Sequence, residues 1–187
     1  MASFETAVQS TLLWEGGYVN NPADSGGETY RGISRKNWPN WNGWGYIDIE
    51  RSHHDFPACL DMNLGLQGNV IDFYRQNYWS FDAITSQLIA NKIFDLGVNV
   101  GKVHAGKIVQ TAVNNVLSIY ADSGINAKPI TVDGIIGPGT IAAINATSHG
   151  SLLPKIKAAA IAYHTSIIAS HPEDAIFLAG WIRRDQS

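Results

Sequence analysis

The sequence predicts a mainly α-helical protein with one small, irregular, glycine-rich lobe near its N-terminus. Apolar residues recur at helical spacing through most of the chain, whereas residues 20–32 and 38–57 lose this spacing and are rich in glycine, asparagine or tryptophan. The chain has 187 residues, of which 45% are hydrophobic, so it is long enough to bury roughly 70% of its unfolded surface. We therefore expect about seven helices around one core, or around one core with a small satellite.

The first helix is predicted over residues 3–15. Ser3 can act as its N-cap, and the Gly16-Gly17 pair is a stop signal. Four residues recur at helical spacing between these ends: Phe4, Val8, Leu12 and Glu15. Residues 20–32, which follow this helix, are expected to form a loop or a short, irregular β-hairpin.

Further helices are predicted after the second irregular stretch. Gly134 and Gly137 permit tight turns, and they precede Pro138, which suits the first position of a helix. The predicted helical segments are residues 66–79, 88–100, 105–120, 138–146, 151–170 and 174–184.

Composition and charge exclude several classes of protein. Lys and Arg number 13 against 16 Asp and Glu, which gives a formal charge of −3. Because no basic run exceeds pairs such as Arg183-Arg184, nucleic acid is not an expected partner. Cys59 is the only cysteine, so neither an intramolecular disulfide nor a cysteine-based zinc site is possible. The sequence shows no transmembrane run and no signal-peptide pattern at its start, so synthesis in the cytoplasm without a Sec signal is expected.

Glu15 is the first candidate for catalysis. At about 100° per residue it falls about 20° from Phe4 on the helical wheel, on the apolar stripe. The last turn of a helix and partial desolvation both disfavour a negative charge, so the pattern favours a protonated carboxyl, as a general acid requires. The alternative is a frayed helix end at which Glu15 pairs with a nearby cation.

Asp24 follows Glu15 by nine residues in the polar loop. A solvated Asp near a desolvated Glu is the arrangement that separates acid from base in glycoside hydrolysis. The alternative is an Asx turn in the Pro22–Gly26 segment, which needs no catalytic role.

Aromatic residues are dense in the irregular lobe. Flat rings there suit either a core corner or a platform for sugars, and one or two are expected in a glycan groove with the others buried. These rings belong to Tyr18, Trp38, Trp41, Trp44 and Tyr46. His53, His54 and Asp55 lack the spacing of a helical zinc site, so a solvated loop is expected, with no metal and no cofactor.

Five motifs give the chain a resemblance to a known family. The sequence resembles the glycoside hydrolase family 108 N-acetylmuramidases, whose Glu-Gly-Gly-Tyr motif contains the catalytic Glu. The last three motifs are similar to the predicted peptidoglycan-binding region of that family. In chain order, the matching segments are Trp14–Ser34, Tyr74–Trp79, Phe94–Gly101, Val132–Thr140 and Phe177–Arg184.

The resemblance implies a lysozyme-like helical enzyme that cuts the β-1,4 bond between N-acetylmuramic acid and N-acetylglucosamine. It implies a catalytic region over residues 1–93 and a peptidoglycan-binding region over residues 94–187, packed as one compact unit. Peptidoglycan is the implied partner, and a monomer is expected. Members of the family include phage endolysins and secretion activators, so release to the cell wall through a holin-like pore or another route is expected.

The resemblance also assigns catalytic roles. The catalytic Glu falls on Glu15, and Asp24 matches the spacing of the second carboxylate in phage lysozymes, with Glu28 as the reserve. In this mechanism Glu15 protonates the glycosidic oxygen, while the second carboxylate activates water or stabilises the oxocarbenium-like transition state. The position of a water-orienting hydroxyl falls on Tyr30, and Thr29 and Ser25 remain alternatives.

Substrate contacts are predicted at Tyr18, Tyr30, Trp41, Trp44 and Asn99, the last of these to an N-acetyl group. The competing interpretation is a catalytically inactive peptidoglycan-binding or scaffolding module. The altered loop at residues 29–31 and the negative net charge favour that alternative. The occurrence of Glu15, two glycines and Asp24 together favours the enzyme.

Overall fold

The computed structural model describes residues 1–21 and 27–187. Within these residues it contains eight α-helices and one three-stranded antiparallel sheet, which confirms the predicted mainly-α class with a small β lobe. The strands are β1 (Tyr18–Asn20), β2 (Glu28–Tyr30) and β3 (Ile33–Ser34). The helices are α1 (Phe4–Leu12), α2 (Gly43–Glu50), α3 (Leu64–Tyr78), α4 (Gln87–Val100), α5 (Lys102–Asp122), α6 (Pro138–Ala146), α7 (His149–Ser170) and α8 (Leu178–Gln186).

The structure corrects two of the sequence-based elements. The first helix ends at Leu12 instead of residue 15, and the amide of Trp14 donates to the carbonyl of Thr11 in a tight turn. The stretch 38–57 was expected to be irregular, yet it contains α2. Two glycines, Gly43 and Gly45, in the first turn of α2 weaken its helical pattern, and its buried face is narrow.

The chain divides into two compact units, residues 8–79 and residues 1–7 together with 80–187. The predicted division between residues 93 and 94 lies within α4, a continuous helix of the second unit. The division of function between an N-terminal and a C-terminal region stays a prediction. No helix in the described ranges is both long enough and apolar enough to cross a membrane.

In the unit of residues 8–79, a hairpin packs on α3. Strands β2 and β3 are joined by Arg31 and Gly32, whose φ angles are 47° and 77°. Positive φ at both central residues is the signature of a type I′ turn, which matches the twist of a two-residue hairpin. Tyr30 enters the core beside this turn, and the side-chain amide of Gln67 on α3 donates to its hydroxyl at 2.8 Å.

In the unit of residues 1–7 and 80–187, α5 packs against α4 and α7. Gln110 on α5 holds the Asp133–Gly137 turn, because its Oε1 accepts from the Gly134 amide at 2.8 Å while its Nε2 donates to Asp133 at 2.7 Å. Hydrogen bonds from Gln110 and the Ile135 amide lower the pKa of the Asp133 carboxyl. The Asp-Gly-Ile-Ile-Gly-Pro motif thus has a structural role as a turn docked on α5.

Buried polar pairs fix the last helix of this unit. His164 on α7 and Asp185 on α8 are both buried, with Nδ1 and Oδ2 2.7 Å apart. Trp181 stacks on the imidazole of His164, and Arg184 Nη2 lies 2.9 Å from Asp95 Oδ1. The contacts of α8 are therefore polar as well as apolar.

Gly106 on α5 is expected to be essential for the docking of the Asp133–Gly137 turn. A Cβ at Gly106 would overlap the carbonyl oxygen of Gly134 and lie 2.8 Å from the Cα of Gly134. Gly106→Ala should therefore lower the free energy of unfolding by about 1–3 kcal/mol, measured by urea denaturation.

Gly97→Ala is the matched control for this prediction. Gly97 is also a helical glycine of this unit, and a Cβ there would meet nothing within 4 Å. It should raise stability by up to about 1 kcal/mol, because alanine is the better helix former. Equal unfolding curves for Gly106→Ala and the unchanged chain would contradict the close approach.

Candidate active site

Glu15 lies in the segment between α1 and β1, and its side chain is half-buried. The expectation that it occupies the last helical turn on the apolar stripe is wrong, because α1 ends three residues earlier. What positions Glu15 is therefore the packing of its carboxylate against the β2–β3 turn. The motif glycines Gly16 and Gly17 have open space around them, since a Cβ at either would meet nothing within 4 Å.

The carboxylate of Glu15 occupies the space that a side chain at Gly32 would take. A Cβ at Gly32 would lie 2.7 Å from the hydroxyl oxygen of Tyr74 and closer still to Glu15 Oε2. The Tyr74 hydroxyl donates to the carbonyl of Arg31 at 2.6 Å, so it is tied to the same turn. A glycine at position 32 therefore meets two requirements of this site. It tolerates the positive φ, and it has no side chain to collide with the Glu15 carboxylate.

Two tyrosines of α3 flank this carboxylate. The rings of Tyr74 and Tyr78 have centroids 5.8 Å apart. Burial raises the pKa of the Tyr78 phenol, and the negative charge of Glu15 raises it further. Tyr78 therefore stays uncharged at neutral pH and can act as a hydrogen-bond donor.

Glu28 is held in an ionic cluster. Its Oε2 lies 2.7 Å from Arg35 Nε, and its Oε1 pairs with Arg51 and accepts from the Tyr18 hydroxyl at 3.0 Å. Asp48 joins the same two arginines at 2.7 Å and 3.1 Å, and its pKa is lowered chiefly by the hydrogen bond from Arg35. A carboxylate neutralised by two guanidinium groups is poorly suited to activate water, so the structure disfavours Glu28 as the reserve catalytic group.

Tyr18 is a member of this cluster and is only partly exposed. Burial raises the pKa of its phenol first, and its hydrogen bond to Glu28 raises it further. Its ring contacts Phe56 edge-on at 4.8 Å. The contacts on both its ring and its hydroxyl fix the orientation of Tyr18.

The other predicted catalytic residues have different positions. Asp24 and Ser25 lie outside the described residues. Thr29 is half-buried and points to the opposite face of β2 from Glu28 and Tyr30, since successive strand residues alternate. Its hydroxyl donates to the carbonyl of Gly27 at 3.4 Å.

Two of the predicted substrate contacts are core residues. Tyr30 is 1% exposed and Trp44 is 3% exposed. Trp44 donates its indole N–H to the carbonyl of Trp38 at 2.7 Å and packs beneath the Arg35 guanidinium. Neither ring has a face available to a sugar in this structure, which corrects both predictions on the ground of burial.

The remaining predicted contacts lie apart from the core. Trp41 is half-buried at the edge of a polar groove, and its indole N–H donates to the carbonyl of Asn69 at 3.3 Å. Asn99 is half-buried in the last turn of α4, in the other compact unit. His53, His54 and Asp55 are exposed, and their potential ligand atoms lie within 4.8 Å of one another.

Sequence reasoning missed two features of the Glu15 surroundings. Trp14 directly precedes Glu15 in the chain and is 40% exposed, so it offers an aromatic surface to a ligand. Arg31 adopts a positive φ beside Gly32. Trp14 lies within the motif itself, so adjacency to Glu15 was a signal that could have identified it.

Comparison with known proteins defines the class. The family model described as glycosyl hydrolase 108 matches residues 8–101, and that described as predicted peptidoglycan domain matches residues 104–186. The fold is similar to that in the structure of Brucella abortus SagA, with a TM-score of 0.55, 21% identity, and coverage of 98% of this chain and 93% of that chain. Curated proteins give no match to this sequence.

The protein is thus a glycoside hydrolase with a lysozyme-like, mainly helical fold. More specifically, the chain belongs to glycoside hydrolase family 108 and carries a C-terminal predicted peptidoglycan domain.

Gly32 is expected to be required for the placement of the Glu15 carboxylate. Gly32→Ala would displace this carboxylate and strain a residue with a φ of +77°. Hydrolysis of purified sacculi should fall at least about tenfold, and the free energy of unfolding should fall by about 1–2 kcal/mol. Gly68→Ala is the matched control in the same unit, because a Cβ there meets nothing within 4 Å. Full hydrolysis by Gly32→Ala would show that Glu15 does not depend on this turn.

Glu28→Gln is expected to separate a structural from a catalytic role for Glu28. The change removes the charge that pairs with Arg35 and Arg51, so it should lower stability by about 1 kcal/mol. Hydrolysis per folded molecule should stay within about threefold of the unchanged chain, since a general base contributes about 10²–10⁴-fold. A loss of that size in folded Glu28→Gln, shown by circular dichroism, would restore Glu28 as a catalytic group.

Proposed function

We propose that the protein is an N-acetylmuramidase that cleaves the β-1,4 bond between N-acetylmuramic acid and N-acetylglucosamine in peptidoglycan. The observation that carries this proposal is the Glu15 carboxylate, packed on the Gly32 turn beside Tyr74. Glu15 occupies the Glu-Gly-Gly-Tyr motif of a chain that belongs to glycoside hydrolase family 108. The substrate lies in the cell wall, so the enzyme acts there after release from the cytoplasm.

In the proposed reaction, Glu15 acts as the general acid. Its protonated carboxyl donates to the glycosidic oxygen as the bond from that oxygen to the anomeric carbon breaks. The packing of the carboxylate between the Gly32 backbone and Tyr74 restricts its orientation, which is what efficient proton transfer requires. Tyr78 places a neutral phenol near Glu15, and burial raises its pKa further above the ordinary value.

Asp24 is the proposed second carboxylate. Glu28 is disfavoured by its pairing with Arg35 and Arg51. Asp24 would either activate a water molecule or stabilise the oxocarbenium-like transition state. The distance between the two carboxyl groups decides between these, since about 6.5–9.5 Å leads to inversion and about 5–5.5 Å to retention.

Aromatic substrate contacts are proposed at two residues that are near Glu15 in the chain. Trp14 and Tyr18 present aromatic surface close to Glu15 in the chain, and pyranose C–H faces pack on such rings. Asn99 stays a predicted contact for an N-acetyl group. The predicted peptidoglycan domain over residues 104–186 supports the wall polymer as the partner.

Glu15→Gln should abolish hydrolysis while leaving the fold intact. Loss of a general acid lowers the rate by about 10²–10⁴-fold. Turbidity of purified sacculi should fall with the unchanged protein and not with Glu15→Gln, and mass analysis should find N-acetylmuramic acid at the new reducing ends.

Glu50→Gln is the matched control in the same unit. Glu50 accepts a hydrogen bond from Asn63 at 3.1 Å, and the glutamine oxygen can still accept it. Glu50→Gln should clear sacculi at the native rate. Native clearing by Glu15→Gln would refute the role of Glu15. Sedimentation of the native protein and Glu15→Gln with sacculi, without clearing by either, would identify a binding module instead.

A further inference from the structure

A second candidate site lies on the unit of residues 8–79, in a groove between the segment 37–42 and one face of α3. The groove has a volume of about 470 Å³, which is within the range of about 300–1,000 Å³ that is typical of small-ligand sites. Of its eleven described lining residues, five are asparagines, one is a glutamine and two are tryptophans. The only charged side chain among them is Asp72.

The groove and Glu15 lie on opposite sides of α3. Five residues of this helix line the groove: Asn69, Asp72, Phe73, Gln76 and Asn77. At about 100° per residue they share an arc of about 140°, whose centre is about 150° from the direction of Tyr74 and Tyr78. Because Tyr74 and Tyr78 flank Glu15, the groove is a separate surface from the candidate active site.

The two indoles of the groove are fixed by packing. Trp38 is 39% exposed and meets Phe73 edge-on, with ring centroids 4.9 Å apart. Trp41 meets Trp44 edge-on at 5.0 Å, and its indole N–H is held by the carbonyl of Asn69. Aromatic rings that are already ordered lose little entropy when a ligand packs on them.

The side-chain amides of the groove offer both hydrogen-bond donors and hydrogen-bond acceptors. Asn69 and Asn77 donate to helix carbonyls at 2.8 Å, which leaves their Oδ1 atoms as acceptors. Asn40 and Gln76 are exposed, and their amides form no hydrogen bond within the described ranges. Each of these two amides offers both a donor and an acceptor to a ligand.

We infer that this groove binds an uncharged saccharide, with a pyranose face against Trp38 or Trp41 and its hydroxyl and acetamido groups on the amides. Indole surface combined with neutral amides matches the alternating C–H and O–H character of a sugar ring. Asp72 is negatively charged and no described lining residue carries a positive charge. The groove therefore disfavours a ligand that carries a carboxylate. Of the two sugars of a peptidoglycan strand, the uncharged N-acetylglucosamine matches this groove better than the acidic muramyl residue.

The test uses the full chain carrying Glu15→Gln, so that no hydrolysis occurs during titration. Chitotriose, an uncharged trimer of N-acetylglucosamine, is added at millimolar concentration, and the indole N–H signals are followed by NMR. Trp14→Phe, Trp38→Phe and Trp41→Phe assign the signals. The signals of Trp38 and Trp41 should shift, and Asn40→Ala with Gln76→Ala should weaken the binding at least about tenfold.

Asn126→Ala is the matched control. It removes an exposed amide from the other unit and should leave the titration unchanged. Shifts confined to Trp14 would place the sugar at the active site alone and overturn the groove. Unchanged binding by Asn40→Ala with Gln76→Ala would also overturn it. The outcome is independent of the muramidase proposal, because binding is measured without hydrolysis.

Discussion

The site depends on one constraint, the two-residue turn between β2 and β3. Both of its residues have positive φ, a conformation that costs a non-glycine residue about 1–2 kcal/mol. Arg31 is kept there by contacts at both ends. Its guanidinium lies 2.7 Å from Asp61, and its carbonyl accepts from Tyr74. The turn presents bare backbone at Gly32, and only bare backbone leaves room for the Glu15 carboxylate.

Two residues on the same face of β2 hold the strand that leads into this turn. Tyr30 is anchored in the core through Gln67 and the carbonyl of Leu60. Glu28, two residues earlier, is anchored through Arg35 and Arg51. These contacts give structural partners to two residues that the sequence analysis named as catalytic candidates. A turn that must hold a reactive carboxylate in place needs partners that are themselves immobile.

The sequence predicted the long elements well, because α4 and α5 bury broad faces and α7 buries every fourth residue from Leu152 to His164, which makes the helical periodicity evident. The sequence-based prediction failed where tertiary packing, and not the local sequence pattern, determines the structure. The helical wheel placed Glu15 on the apolar stripe, but α1 ends at Leu12, so only the motif resemblance located the residue. Composition showed that the lobe is rich in aromatic residues. It could not show that Tyr30 is buried while Trp38 is 39% exposed, because burial depends on tertiary contacts. The link from Gln110 to Gly134 spans 24 residues, beyond the reach of local patterns.

The charge of the chain constrains how it can recognise its substrate. Peptidoglycan carries carboxylates on its muramic acid and peptide parts, and this chain has a formal charge of −3. Long-range attraction therefore does not assist binding. Two arginines and two acidic residues of the N-terminal lobe already form ion pairs with one another. They are Arg35, Arg51, Glu28 and Asp48. The groove proposed above would instead recognise the uncharged parts of the glycan through short-range contacts with indoles and amides, which salt screens only weakly. A negatively charged enzyme can bind a negatively charged polymer if its contacts are made to the uncharged sugar rings.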